Sequence, residues 1–408
     1  MKSALHRTAL VCLFAAVAAR ADLPVSEFRA HRAEVQKDLD GVLVLFAAAE
    51  DGDALSGFRQ ESNFYYLTGW KEPSAILLMT AKQATLFLPR HNAKKERYEG
   101  RHLSAEDPDA GAKAGFDNVL PAEKFESEFA AALGAASHVY ALPSDPHYEK
   151  LKQLAPLRDI ADAGPRIAEA RVKKSPDEIA AIQHATDVSI EAQLAAWKRI
   201  QAGAYEYQVA AAFTAIILDR GCERYAYAPI VGSGPNGAVL HYSDNRRQMD
   251  TGELVVMDAA AECSMYASDL TRTIPVSGHF TPRQLELYNI VLNAQKAAIA
   301  AVKPGVPFWE GEASPDNAAR SYIESKGYGK YFTHKIGHSV GIDVHDPPMP
   351  PATLEPGMVI TIEPGIYMPG ENIGIRIEDV VLVTAKGAQV LSSALPKEPG
   401  DIEKALAR

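Results

Sequence analysis

The chain has 408 residues, 47% of them hydrophobic and 23% charged, which is enough apolar material for a sizeable core and excludes a disordered chain. Its formal net charge of −10 excludes a general nucleic-acid surface, which would need a basic face. The length allows two or three domains.

Lys2 and Arg7 precede an apolar run from Ala9 to Ala19, and Ala19-Arg20-Ala21 is an Ala-x-Ala cleavage pattern. The run is too short to cross a bilayer. Residues 1–21 are therefore expected to be a secretory signal peptide, leaving an exported (periplasmic or secreted) protein with no stable membrane insertion. Losing Lys2, Arg7 and Arg20, with no acid, moves the net charge from −10 to −13. Cys12 leaves with this segment. Cys222 and Cys263 fit no zinc-ribbon spacing and are expected as buried thiols, since spacing alone cannot establish a disulfide.

Residues 22–163 read as a mixed α/β domain. Gly41-Val-Leu-Val-Leu-Phe46 is a continuous apolar run, the pattern of a strand buried on both faces. Segments 62–69, 75–79 and 85–88 read as a following meander, with a Gly-Trp-Lys-Glu-Pro turn cluster after the first. Helical stretches near 91–100, 121–133 and 145–154 alternate with a short strand over 138–142. His91, His102, His138 and His147 are scattered, as solvated surface residues are.

Pro156, Gly164 and Pro165 punctuate the join to a second domain, 164–392, followed by a tail, 393–408. Ser175-Pro-Asp-Glu178 predicts a helix start: serine caps, proline takes the first turn and Glu178 completes a capping box. A second helix is predicted from Glu206 to Arg220, with Gly221 as its stop. Thr281-Pro-Arg-Gln284 and Ser314-Pro315 open two more. The loop Gly232-Ser-Gly-Pro-Asn-Gly237 lacks a phosphate-loop ending and reads as a turn that delivers His241.

The helices frame a repeat. In Gly252-Glu-Leu-Val-Val-Met-Asp258 an apolar run ends on an acid six positions after a glycine, and Asp269 follows. Gly357-Met-Val-Ile-Thr-Ile-Glu363 repeats the layout, with Glu378 following. His241 and His345 precede the two units at similar distances. The unit is helix–strand–strand, present twice, and two copies predict a curved antiparallel sheet with helices outside and a site inside. Four carboxylates in one pocket repel, by about 4 kcal/mol per pair at ~4 Å and an effective dielectric near 20. Either several stay protonated or cations sit among them, and four charges match two divalent ions. His334, His338 and His345 lie between the copies. One imidazole with four carboxylates suits Mn²⁺ or Co²⁺ and can accept Zn²⁺. Such ions lower the pKa of bound water toward ~7, which gives hydroxide and hydrolytic chemistry. Period two puts Arg376 on the face of Glu378, where its guanidinium could orient that carboxylate.

Segments 230–242, 257–273, 334–346, 361–367 and 375–379 together resemble the pita-bread metallopeptidases, in the branch of aminopeptidase P and prolidase. The resemblance covers the mature chain; 62–69 is similar to that branch's N-terminal domain and 391–399 to its C-terminal end. It implies an α+β architecture, a pita-bread domain behind a smaller α/β domain. It implies Asp258, Asp269, His338, Glu363 and Glu378 as ligands of two metal ions, with Asp269 and Glu378 bridging. Glu363 would double as acid and base, while His241 and His345 would stabilise the tetrahedral intermediate and shuttle a proton. His334 and Arg376 would line the substrate site. The implied substrates are peptides with proline at position two, cleaved by an aminopeptidase or, alternatively, by an Xaa-Pro dipeptidase, and the implied assembly is a homo-oligomer (dimer or tetramer). A metal-free or non-catalytic relative would lose acid and histidine ligands, and all five are present. One departure is Tyr98, where some members carry tryptophan.

Overall fold

In the computed structural model, which describes residues 22–49, 57–134, 136–348 and 353–407, Gly41–Phe46 is a strand whose six residues are all buried. It is a central strand of a six-stranded mixed sheet, running antiparallel to Ile76–Met79 and parallel to His138–Ala141. The expected signal peptide lies outside the described residues, and among the described residues no helix is long and apolar enough to cross a membrane.

One element of this domain departs from expectation. Ser62–Thr68 is a helix, not a strand: Glu61 accepts the Phe64 amide at 2.7 Å, and Gly69, at φ 66°, ends it. Phe64, Tyr65, Tyr66 and Leu67 are all buried. A helix enclosed on all sides shows no polar stripe, so its period is hidden in the sequence.

The second domain opens as its local chemistry requires. Pro176–Trp197 and Pro282–Ala301 both start with proline in the first turn and a closed capping box, from Ser175 and Thr281. The first packs on Ala261–Cys263 and Tyr266–Ala267, beside the first of two strand sets, and the second lies against the other set. The first set pairs Leu254–Asp258 with Thr271–Pro275 and Ile230–Ser233; the second pairs Asp379–Thr384 with Val359–Ile362 and Gly387–Val390. Gly252 and Gly357, which open the two apolar runs, share a positive φ of 90° and 95°. The repeat therefore extends to the backbone. Instead of one continuous ladder, the described strands of this domain form four short sheets. The sets meet where the Glu378 amide donates to Thr271 O at 3.0 Å and the Arg376 amide to Thr273 Oγ1 at 3.0 Å.

Helix Gly164–Arg171 ties the domains together. Arg171 reaches Asn63 of the first domain at 2.9 Å and Asp346 of the second at 2.5 Å, and Lys174 meets the same carboxylate at 3.0 Å. The C-terminal segment is also fixed: Arg272 donates to Leu395 O and Pro396 O, and Lys397 pairs with Asp379 at 2.6 Å.

Cys222 and Cys263 are joined as a disulfide, contrary to the expected free thiols, with their Cα atoms 4.4 Å apart. They are 41 residues apart in sequence, and only the fold brings the end of helix Glu206–Asp219 against strand Ala261–Cys263. Replacing both cysteines with serine should lower unfolding free energy by about 2–4 kcal/mol, the usual worth of such a loop closure. Urea unfolding measures this, and thiol titration of denatured, unreduced protein prepared without residues 1–21 should find neither cysteine free.

Candidate metal centre and active site

The acids converge because each sits where a strand pair ends. Asp258 is the last residue of its strand, paired with Thr271, and Asp269 lies two residues before that partner. Glu363 directly follows Val359–Ile362, and Glu378 directly precedes Asp379, which pairs with Ile362. All four line one cavity of about 260 Å³, together with His241, His338, His345 and Tyr227. Ligand atoms of Asp269, His338 and Glu378 lie within 4.8 Å of one another.

His338 is held close by a bare backbone. A Cβ on Gly337 would stand 2.2 Å from Thr361 O, so only glycine allows the approach. The His338 Nδ1–H donates to Ser339 O at 3.0 Å, which turns Nε2 toward Asp269 at 3.3 Å and Glu363 at 3.6 Å. That is the arrangement of a metal-bound imidazole, whose second nitrogen is fixed by a carbonyl. The His345 ring is 4.1 Å from that of His338.

Arg376 differs from expectation in what it touches. Its guanidinium donates to Asp258 Oδ2 at 2.7 Å, Tyr367 Oη at 2.9 Å and Thr271 Oγ1 at 3.2 Å, and Thr271 in turn donates to Glu378 at 2.7 Å. One cation thus orients an acid from each half, Asp258 directly and Glu378 through a hydroxyl. Tyr367 donates onward to His334 Nε2 at 2.9 Å. Neither Arg376 nor His334 is among the residues lining this cavity; both stand behind it.

Three residues escaped the sequence reading. Tyr227 donates to Asp258 Oδ1 at 2.5 Å across 31 residues, with no spacing signal to reveal it. Thr271 and Thr361 lie two residues from Asp269 and Glu363, so strand alternation could have found both.

The electrostatics express crowding. Burial pushes Asp258 up, Arg376 pulls it back and Asp269 pushes it further. Burial likewise raises Glu363, to about 7 despite His338 and Arg376, with Asp269 and Asp258 adding repulsion. Glu378 is driven well above the carboxylate range by burial and by Asp269, Glu363 and Asp258. Burial opposes charge on His338, yet contact with Asp269 and the charge of Glu363 hold it up to about 9. His345 is lowered by burial and by His338, and His334 falls to about 4 through burial and Arg376. Three acids that resist ionisation around an inward-facing imidazole nitrogen form a site short of positive charge. A mostly oxygen donor set of this kind fits hard or borderline divalent cations.

Residues 180–385 match metallopeptidase family M24, and residues 28–140 match the aminopeptidase P N-terminal domain. The Xaa-Pro aminopeptidase of Haemophilus influenzae is 33% identical, the match covering 94% of this chain and 97% of that protein. The Xaa-Pro dipeptidase of Pyrococcus horikoshii is 35% identical over 81% of this chain and 90% of that one. The structure is similar to Escherichia coli aminopeptidase P with the inhibitor Pro-Leu, with a TM-score of 0.84 and 28% identity over 94% of this chain and 98% of that chain. It is equally similar to the zinc-substituted form of that enzyme in complex with product, with a TM-score of 0.84 and 29% identity over the same shares.

Chelation tests the charge deficit. An acid whose folded pKa is raised destabilises the fold as pH climbs from its unfolded value, about 4.3 for glutamate, through its folded one. For Glu363, raised to about 7, the cost is on the order of 3 kcal/mol by pH 8. Chelated protein should therefore melt progressively lower from pH 5 to pH 8, and added Mn²⁺ should raise the melting temperature more at pH 8 than at pH 5. An equal Mn²⁺ effect at both pH values would contradict the crowding.

Proposed function

The chain belongs to metallopeptidase family M24, and from that premise we propose that it is a metal-dependent aminopeptidase that hydrolyses the N-terminal Xaa-Pro bond of peptides. The observation that carries this reading is the meeting of Asp258, Asp269, His338, Glu363 and Glu378 in one cavity, on a chain matching aminopeptidases of this kind nearly end to end. Those five side chains would hold two divalent cations, manganese first, with cobalt or zinc as substitutes; the zinc-substituted relative supports tolerance of zinc. When bound, such cations supply Lewis acidity, polarising a carbonyl and acidifying water.

The chain's own groups divide the remaining work. Glu363, poised near neutrality, accepts a proton at its carboxylate as water attacks the scissile carbonyl and returns it later. His345, lowered by partial desolvation and by neighbouring His338, and His241, which shares its cavity wall, donate hydrogen bonds to the carbonyl oxygen as negative charge gathers there. They then pass the proton to the proline nitrogen, which carries no N–H in the peptide and leaves only once protonated. Arg376, Thr271 and Tyr227 keep Asp258 and Glu378 from rotating. His334 closes the chain of hydrogen bonds through Tyr367, at the edge of the substrate site.

The cleavage pattern at Ala19-Arg20-Ala21 and the Cys222–Cys263 disulfide support export to an oxidising compartment.

The Pyrococcus match favours a second reading, an Xaa-Pro dipeptidase, but it covers less of this chain than the aminopeptidase matches do. Purified protein with Mn²⁺ should cleave an Xaa-Pro-Xaa tripeptide faster than an Xaa-Pro dipeptide; the reverse order would establish the dipeptidase, and no turnover of either by folded protein would reject both. Asp269→Ala and Glu378→Ala should each lower kcat/KM by at least about a thousandfold, as loss of a central ionic group does. Near-wild-type rates in either variant, with metal still bound, would remove that acid from the site.

A further inference from the structure

Two buried glutamines occupy equivalent places in the two halves, and no step of the chemistry uses either. Gln193 projects from helix Pro176–Trp197 and is fully buried. Its Nε2 donates to Ala259 O at 3.0 Å and Leu270 O at 3.1 Å. Ala259 follows Asp258 and Leu270 follows Asp269. Gln295 projects from helix Pro282–Ala301 and is also fully buried. Its Nε2 lies 3.4 Å from Ile362 O and 3.2 Å from Ile377 O, as well as 3.0 Å from Asp379 Oδ2. Ile362 precedes Glu363 and Ile377 precedes Glu378. In each half, one amide nitrogen thus spans the two main-chain segments that carry that half's two acids.

The placement answers a local need. The strand ladders end at the Asp258–Thr271 and Ile362–Asp379 pairs, where the two chains part to present their carboxylates. Beyond that point the regular ladder gives way to scattered main-chain bonds, Ala259 N–H to Leu270 O at 3.1 Å in the first half and Ile377 N–H to Pro364 O at 3.4 Å in the second, while repulsion between the acids drives the segments apart. A side-chain amide carries two N–H groups in a fork and can bond both chains at once. A glutamate could not donate when ionised, and an aliphatic side chain could not donate at all. The far ends of both glutamines are anchored in turn: Trp197 Nε1 donates to Gln193 Oε1 at 3.1 Å, and Lys397 to Gln295 Oε1 at 3.0 Å.

We propose that Gln193 and Gln295 are matched positioning residues, each fixing the spacing between the two acids of its half and thereby that half's affinity for cations. This rests on the metal-dependent reading above. The test is calorimetric titration of metal-free, full-length mature protein with Mn²⁺, alongside thermal melts in chelator. Gln193→Met and Gln295→Met should each weaken Mn²⁺ binding about tenfold or more, the usual effect of removing a group that supports ligands, while Phe129→Leu, in the separate apolar cluster of the first domain, should lower the melting temperature yet bind Mn²⁺ within about twofold of wild type. Methionine variants that melt lower but bind Mn²⁺ as wild type does would overturn the proposal and leave the glutamines as props of the core. Should a methionine variant not fold, Gln→Glu at the same position keeps the volume, loses the donor fork and is judged by the same readout. Wild-type protein that binds no divalent cation would instead overturn the metal centre itself, a distinct result.

Discussion

Everything in the second domain answers to the mutual repulsion of four buried carboxylates. At an effective dielectric near 20, each close pair costs about 4 kcal/mol, against a whole-fold stability of about 5–15 kcal/mol. The protein supplies two compensating charges of its own. Arg376 is spent on Asp258, and His338 is drawn toward Asp269 and Glu363. Neither answers Glu378, which meets a hydroxyl instead and is driven well above the carboxylate range. The shortfall lies in the cavity that the acids of both halves line, and those acids would hold the cations. A scaffold that forces acids together and leaves them undercompensated is a binding site for positive charge before it is anything else.

Such a site needs rigid walls, and the duplication provides them cheaply in sequence. Each half uses a proline-started, box-capped helix, a glycine with positive φ before its apolar strand, and acids at the ladder's open end. The halves then lock through a main-chain bond to Thr271 and the bond from the Arg376 amide to the Thr273 hydroxyl. The first domain adds a third restraint. Asp346, next to His345, is bonded by Arg171 and Lys174, and Asp343 is held by Arg59, Ser62 and Arg171. The turn bearing both His338 and His345 is thus clamped from the junction between the domains. Burial works against charge on Asp346, but Arg171 and Lys174 outweigh it and hold the carboxyl below its usual range, so the clamp is intact at any pH where the enzyme would work.

What the sequence disclosed, and what it hid, follows the range of the interactions concerned. Helix starts at Ser175, Thr281 and Ser314 were legible because a cap, a proline and an acid or amide act within four residues. The acids were legible because duplication printed the same glycine-to-acid spacing twice. The helix Ser62–Thr68 was not, since four consecutive buried side chains erase the polar face that periodicity needs. The disulfide between Cys222 and Cys263 was equally hidden, because the pairing depends on where a distant hairpin folds back. Arg376 is the instructive intermediate case. Alternation correctly set it on the face of Glu378, yet its direct partner is Asp258, 118 residues away, and only the meeting of the two halves reveals that.

The histidine segment shows how environment, rather than residue type, sets chemistry at this site. His334, His338 and His345 lie within twelve residues of one another, and the fold gives them opposite tendencies. His338 faces two carboxylates and is pulled up to about 9; His334 faces Arg376 through Tyr367 and drops to about 4. His345, partly desolvated and beside His338, is also lowered. An imidazole whose surroundings favour positive charge on its ring nitrogen suits a ligand's role, because a cation can take the place of its proton. An imidazole that refuses charge stays available as a neutral hydrogen-bonding group in the range where peptides are hydrolysed. One short glycine-rich stretch therefore holds one imidazole drawn toward positive charge and two that resist it, and the difference comes from the acids and the guanidinium that the two halves bring against it.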